Sequence, residues 1–140
     1  MTNKSTIWNK IFYFGWIPIV ALIILIKFFM LNNPAVLAST YVNKNKDLIN
    51  SEFGNFKFLS IRNSGKYIFT EIQLLNDVYL FKNEKEELAE KLFTAVKNGT
   101  TCKTEESLNL LEKGVIFVYI YYDKQKKEIT DITIDKKFCE

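Results

Sequence analysis

A long apolar stretch near the N-terminus constrains this chain more than any other feature. Residues 11–31 read IFYFGWIPIVALIILIKFFML, about 21 residues in which Lys27 is the one charge. As a helix rising 1.5 Å per residue, the stretch would be about 31 Å long, which matches a bilayer hydrocarbon core of roughly 30 Å. We therefore predict a transmembrane helix over residues 11–31, acting as the membrane anchor of a bacterial inner-membrane protein.

Several residues of this anchor carry further expectations. Trp8 and Trp16 lie toward its first end, where amphipathic rings favour the headgroup level of a bilayer. Pro18 would break a soluble helix, but membrane helices tolerate proline, so a kink here is expected. Lys27 has two interpretations: its ammonium group reaches the membrane surface on a long stem, or it is paired inside a larger membrane complex.

The orientation of the anchor follows from what lies on either side of it. Residues 1–10 contain Lys4 and Lys10 and no acidic residue, as suits a cytoplasmic tail. The long C-terminal part would cross the membrane largely regardless of its charge, which places it in the periplasm. A cleaved signal peptide ending near Ala38 is the alternative, but its apolar region would usually be only 7–15 residues long, so a signal-anchor is favoured.

The remaining chain, about 109 residues after Leu31, is sufficient for one domain. We expect a membrane-proximal helix and connection over residues 32–55 and a periplasmic domain over 56–140, with 34–50 packed on it. Alternation of apolar and polar residues and the turn signals predict strands at 56–62, 66–75, 78–81, 115–122 and 129–135. In the strand 66–75, Ile68, Thr70, Ile72 and Leu74 are predicted to share the buried face. A helix is predicted over 84–98, with Asn83 as its N-cap, Glu86 as the capping-box partner of Asn83, and Gly99 at its end. A shorter helix is predicted to begin at Thr104.

These elements predict an α+β fold. Because the strands come in hairpins, we expect an antiparallel sheet of about five strands, packed by two to three helices. Residues 115–122, apolar on both alternating faces, are predicted to lie centrally in that sheet. Ile132 and Ile134 should point inward from the last strand, whereas Asp131 and Asp135 should point to solvent and protect a sheet edge.

The chemistry that the sequence lacks narrows its function. There is no histidine, which removes the usual general base and most zinc sites. Two carboxylate pairs, Glu105 with Glu106 and Asp131 with Asp135, could in principle hydrolyse a glycosidic bond, but they lie where acids need no functional reason. The net charge of +3 is not arranged in a basic stripe. We expect no enzyme activity, no catalytic residue, no metal, no cofactor, no nucleic acid and no small-molecule substrate.

The two cysteines support one covalent prediction. Cys102 and Cys139 are the only cysteines of the chain, and an even number suits an oxidising compartment such as the periplasm. A bond between them would hold the C-terminal strand against the helical layer and would contribute roughly 4 kcal/mol of stability. The alternatives are two free thiols, or one cysteine bonded to a partner.

Two classes of function agree with this layout. The first is a periplasmic domain, held at the inner membrane, that binds a protein partner, such as an immunity protein that neutralises a periplasm-acting toxin. The second is an accessory or structural subunit of a multi-protein envelope complex, such as secretion, conjugation or pilus machinery. The first is favoured, because the soluble domain is larger and has more regular hydrophobic patterns than a segment used only for assembly requires.

Overall fold

A computed structural model describes the backbone of residues 4–76 and 82–140 and the side chains of residues 16–76 and 86–140. The chain divides into two compact units, Met1–Asn33 and Pro34–Glu140. We describe each unit by itself. The predicted strand at 78–81 and the side chain of Trp8 lie outside the described residues.

The first unit is a single helix, α1, which spans Lys4–Asn32 and contains Pro18. Every described side chain from Trp16 onward in this helix is exposed, Lys27 included, and the indole of Trp16 is 61% exposed. Within the described part of the chain, no single helix is both long and apolar enough to cross a membrane. That criterion is met, by length and composition only, when two helical segments are taken together: Trp16–Asn32 and Pro34–Lys44, with a break at Asn33.

The second unit combines a sheet with three α-helices. Its helices and strands are α2 (Pro34–Lys44), β1 (Glu52–Phe53), β2 (Phe56–Ser64), β3 (Tyr67–Leu74), α3 (Lys82–Lys97), α4 (Glu105–Glu112), β4 (Ile116–Tyr122) and β5 (Glu128–Ile134). Three short 3₁₀ helices lie at Lys46–Leu48, Thr100–Cys102 and Lys136–Cys139. The class is α+β, as predicted from the sequence.

The sheet is mixed, so the prediction of an antiparallel sheet was wrong. The five strands lie in the order β1-β2-β3-β4-β5, and β3 and β4 run parallel while the other neighbours are antiparallel. The physical reason is the connection between them: α3 and α4 carry the chain back to the end of the sheet where β3 began. The backbone N–H of Ile116 accordingly donates to the carbonyl of Lys66, next to the start of β3.

The local patterns within the strands were interpreted correctly. Gly65, with a φ of 55°, supplies the left-handed backbone of the β2–β3 turn, which Ser64 and Tyr67 flank as a pair. The side chains predicted to share one face of β3 are all buried: Ile68, Thr70, Ile72 and Leu74. The strand β1 has only two residues, and no sequence pattern predicted it.

The helix boundaries depart slightly from expectation. Because α3 includes Lys82, Asn83 belongs to its first turn and not to the cap position before it. Thr104 does cap α4, and its hydroxyl accepts a hydrogen bond from the backbone N–H of Ser107 at 3.4 Å. The predicted edge also holds, since β5 is the last strand and buries Ile132 and Ile134 while Asp131 stays exposed.

The hydrophobic core lies on one face of the sheet. Side chains of α2, α3 and α4 pack there against alternate residues of the strands, and Ile68, Phe117 and Ile134 are almost fully buried. β4 lies between β3 and β5, as an interior strand should. A groove opens on this helical face of the sheet.

Candidate functional site

An apolar groove of about 500 Å³ opens on the helical face of the sheet. Strand residues form its floor, chiefly Phe56, Phe58, Ile61, Ile72, Tyr119 and Tyr121. One wall comes from α2 and the segment after it, with Tyr41, Leu48 and Ile49, and Phe53 of β1 stands at the rim. The other wall comes from the end of α3 and the following turn. A volume of this size is typical of binding sites for ligands or inserted side chains.

The wall on the α3 side is shaped by a close backbone approach. Leu92, Ala95 and Val96 face the groove from the helix, and Gly99 follows at its end. A Cβ atom at Gly99 would lie 2.9 Å from the carbonyl oxygen of Ala95 and 3.2 Å from that of Val96. Glycine is therefore needed for the chain to leave α3 this closely and enter the 3₁₀ helix Thr100–Cys102.

The groove contains a few hydroxyl groups, which are neutral at physiological pH. The phenol oxygen of Tyr119 lies 2.7 Å from Oγ1 of Thr101. Burial raises the pKa of Tyr119 to about 12, and the hydrogen bond between Tyr119 and Thr101 partly opposes this shift. Burial likewise raises the pKa of Tyr121, and that of Tyr41 is raised by burial and then by Glu106. These rings therefore present uncharged, weakly polar groups.

No charged side chain is among the described residues that line the groove. Such a surface cannot recognise a phosphate or a carboxylate by charge, and it gains free energy mainly by removing apolar surface from water. The described residues also contain no cluster of histidine, cysteine, aspartate or glutamate that could hold a metal ion. The groove is thus suited to an apolar occupant.

The predicted disulfide is present and adjoins the groove. Cys102 is bonded to Cys139, with their Cα atoms 5.3 Å apart. The bond joins the 3₁₀ helix Thr100–Cys102, which lines the groove, to the C-terminal 3₁₀ helix Lys136–Cys139. In the same contact the ring of Phe138 meets that of Phe93 of α3 edge-on, with centroids 4.8 Å apart. The C-terminus is thereby held against the helical layer.

Of the four carboxylates considered as catalytic pairs, Glu106 and Asp135 make structural contacts, and Glu105 and Asp131 are exposed. Glu106 forms an ion pair with Lys44 at 2.8 Å, which joins α4 to α2. Asp135 caps the C-terminal 3₁₀ helix by accepting a hydrogen bond from the N–H of Phe138 at 3.0 Å. Glu105 lies in the first turn of α4, where negative charge suits the helix dipole. Asp131 is exposed on β5.

Sequence reasoning did not find the groove. Of the residues singled out beforehand, the structure brings Cys102 and Cys139 together, while Trp16, Pro18 and Lys27 all belong to α1 in the first unit. The groove residues range from Tyr41 to Tyr121 and come from eight separate helices and strands. The signal in the sequence is the abundance of aromatic residues after residue 33, which indicates core material and groove lining equally well.

The fold is shared with proteins of known structure. No protein-family model matches the sequence, and no curated protein matches it. The pilotin EpsS of the Vibrio vulnificus type 2 secretion system superposes with a TM-score of 0.61 at 15% identity, over 76% of this chain and 92% of that one. The Vibrio cholerae type II secretion pilotin AspS gives 0.59 at 16% identity, over 76% and 93% of the two chains.

The chain has a pilotin-like fold. A protein described as secreted, from Pseudomonas aeruginosa, also superposes, with a TM-score of 0.62 at 10% identity over 79% of this chain and 97% of that one. At these identities the likeness concerns the fold alone.

Proposed function

We propose that this protein is an accessory subunit of a secretion complex in the bacterial envelope, and that its groove binds an apolar segment of another subunit. Of the two classes of function considered from the sequence, the likeness to two type II secretion pilotins favours the accessory subunit over the immunity protein. The observation that carries the binding step is the groove itself, which is apolar, open and without a charged lining among the described residues.

The shape and chemistry of the groove favour a protein segment that presents apolar side chains. Phe53, 58% exposed, and Ile49, 36% exposed, stand at the rim as large apolar groups in contact with water. Covering such groups with an apolar side chain is favourable by about 25 cal/mol per Å² buried. Aromatic rings on the floor can pack against an inserted side chain from below, as Phe53 and Phe58 already pack edge-on at 5.8 Å.

We further propose that α1 anchors the subunit in the inner membrane, with its N-terminus in the cytoplasm and Pro34–Glu140 in the periplasm. The supporting observation is that α1 exposes many large apolar side chains on both sides of Lys27, for example Ile24 at 61% and Phe29 at 72%. Such exposure is costly in water and favourable in lipid. The Cys102–Cys139 bond also suits the oxidising periplasm.

The binding proposal is tested by site-specific crosslinking in living cells of the source organism. A photoreactive phenylalanine analogue replaces Phe53 at the rim, and, as a matched control, Leu108, which is 37% exposed on α4 and does not line the groove. We expect the probe at position 53 to crosslink to a secretion-complex subunit, the control probe not to, and Ile49→Asp to abolish the crosslink. Crosslinks that are equal at both positions would contradict a role for the groove.

A second measurement separates the two classes of function. If the protein is an accessory subunit, its deletion should lower export of secreted proteins, and the double variant Ile49→Asp/Phe53→Asp should fail to restore export where Leu108→Asp succeeds. If deletion leaves export intact, and instead sensitises cells to a toxin that crosslinks at position 53, the immunity protein would be the correct assignment.

A further inference from the structure

The groove wall formed by α3 buries little apolar surface of its own. Within residues 86–97 of this helix, Leu92 is the single buried side chain, and Leu88 and Val96 are partly buried against the core. Phe93 on the same helix is 47% exposed. A helix with so few buried contacts opens more readily than the strands beneath it. The position of this wall should therefore depend on the contacts made at its C-terminal end.

The segment that follows α3, residues 99–102, is held from two sides. On the inner side, Oγ1 of the buried Thr101 lies 2.7 Å from the phenol oxygen of Tyr119 on the floor of the groove. On the outer side, Cys102 is bonded to Cys139. The three residues before Cys102 all line the groove. The covalent bond therefore starts at the residue directly after the groove lining.

The C-terminal 3₁₀ helix Lys136–Cys139 connects the same bond back to α3. Phe138 packs edge-on against Phe93, with ring centroids 4.8 Å apart, and its backbone N–H donates to Asp135 at 3.0 Å. Because Cys139 follows Phe138 directly, the bond keeps this ring on α3, whereas an untethered chain end usually frays. One covalent bond thus fixes the wall at two places, the segment after α3 and the ring of Phe93.

The bond is accessible to thiol–disulfide exchange. Cys102 and Cys139 are both only half-buried, so a dissolved dithiol can reach them. One thiolate of the dithiol attacks a sulfur of the bond and forms a mixed disulfide, and its second thiolate then displaces the cysteine still attached. The protein gains two electrons and two protons and is left with two thiols, while the dithiol becomes a disulfide. A disulfide oxidant reverses the step.

We propose that the Cys102–Cys139 bond is a redox latch on the groove. When the bond is closed, the α3 wall is fixed in the form that binds the partner, and when the bond is reduced, the wall is released. An ordered wall loses little conformational freedom on binding, whereas a released wall must be ordered by the partner, which weakens binding. The binding part of this inference rests on the function proposed above. Under that function, a chain that leaves the cytoplasm with two thiols gains its binding form only on oxidation.

Hydrogen-exchange mass spectrometry of the full-length chain in detergent tests the release of the wall. The oxidised protein is compared with protein in dithiothreitol at low temperature and short labelling times. We expect exchange in residues 94–103 to rise at least about tenfold on reduction, while the central strands β3 and β4 stay protected. An unchanged wall would overturn the proposal. So would an equal rise in wall and strands, or loss of the circular dichroism of the fold, because the bond would then act on the whole unit.

Variants that keep the bond separate the latch from general instability. Phe138→Ala removes the ring contact with Phe93, so it should speed exchange in residues 94–103 of the oxidised protein. Lys137→Ala, at an exposed position of the same 3₁₀ helix, is the matched control and should leave exchange unchanged. Dithiothreitol should have no effect on the double variant Cys102→Ser/Cys139→Ser. A reductant effect in that variant would contradict the latch, because no bond remains to be reduced.

Photocrosslinking from position 53 in cells tests the binding step. At matched protein amounts, Cys102→Ser/Cys139→Ser should lower the crosslink at least about tenfold. Phe138→Ala should also lower it, and Lys137→Ala should not. Equal crosslinks in the unchanged chain and the cysteine double variant, or a loss that Phe138→Ala does not share, would overturn the latch and leave the accessory-subunit proposal standing. If the unchanged chain gives no crosslink, the proposed function fails, and the exchange measurement alone decides on the latch.

Discussion

Loss of the Cys102–Cys139 bond should destabilise the unit Pro34–Glu140 by about 4 kcal/mol. The two cysteines are 37 residues apart in sequence, so the bond closes a loop of about 38 residues in the unfolded chain. Chain-entropy arithmetic for such a loop yields about 4 kcal/mol at 25 °C, a large part of the 5–15 kcal/mol that a domain of this size usually has. For about 107 residues this corresponds to a fall in melting temperature of roughly 15 °C.

The measurement is thermal unfolding of Cys102→Ser, Cys139→Ser and the double variant, followed by circular dichroism in the far ultraviolet. Circular dichroism is preferred because both tryptophans, Trp8 and Trp16, lie in α1 and do not report on this unit. All three variants should lose the same stability, since one bond is absent from each. The original protein in a strong reductant serves as the control and should match them.

Two results would refute this reasoning. Losses that add in the double variant would show that the cysteines contribute independently and not through one bond. Unchanged melting temperatures would show that Phe138 on Phe93, together with the Asp135 cap, holds the C-terminus without a covalent link. In the second case Phe138→Ala should destabilise the unit more than either cysteine variant.

Three further predictions concern the groove and the anchor. The raised pKa of Tyr119 implies that its stabilising effect is complete below pH 10.0, where the unfolded chain keeps its phenols neutral, and is lost as the pH rises toward about 12. In urea unfolding, the stability of the unchanged protein should therefore fall more steeply above pH 10 than the stability of Tyr119→Phe. Gly99→Ala should cost about 1–3 kcal/mol, because its methyl group would lie 2.9 Å from the carbonyl oxygen of Ala95, and unchanged stability would contradict that close approach. Alkaline phosphatase fused after Glu140 should be active and green fluorescent protein fused there dark; the reverse result would place the unit in the cytoplasm.

Local periodicity was the part of the sequence that could be interpreted reliably. The alternation from Ile68 to Leu74 identified both a strand and its buried face, because successive side chains of a strand point to opposite sides. Thr104 predicted the start of α4, because a hydroxyl at the N-cap position accepts a hydrogen bond from a free backbone N–H of the first turn. Each of these inferences needs only residues that are neighbours in the chain.

The pairing of β3 with β4 could not be deduced in the same way. Both hairpins, β2–β3 and β4–β5, were predicted from their turns, and the error lay in extending antiparallel pairing to the strands that 41 residues separate. The direction of β4 depends on where the α3–α4 connection returns to the sheet, which is a property of helix packing and not of either strand. The groove depends on this direction, because residues of both β3 and β4 line it.

The amino-acid sequence by itself determined an apolar N-terminal helix, the α+β class, the buried face of β3 and the pairing of Cys102 with Cys139. These features follow from hydrophobic periodicity, from capping residues and from there being two cysteines to join. Only the tertiary structure decided the parallel register that brings Phe69 beside Val118, and the enclosure of a groove between α2 and α3. Those contacts join residues that are distant in sequence. Which residues meet is decided only when the helices pack on one face of the sheet.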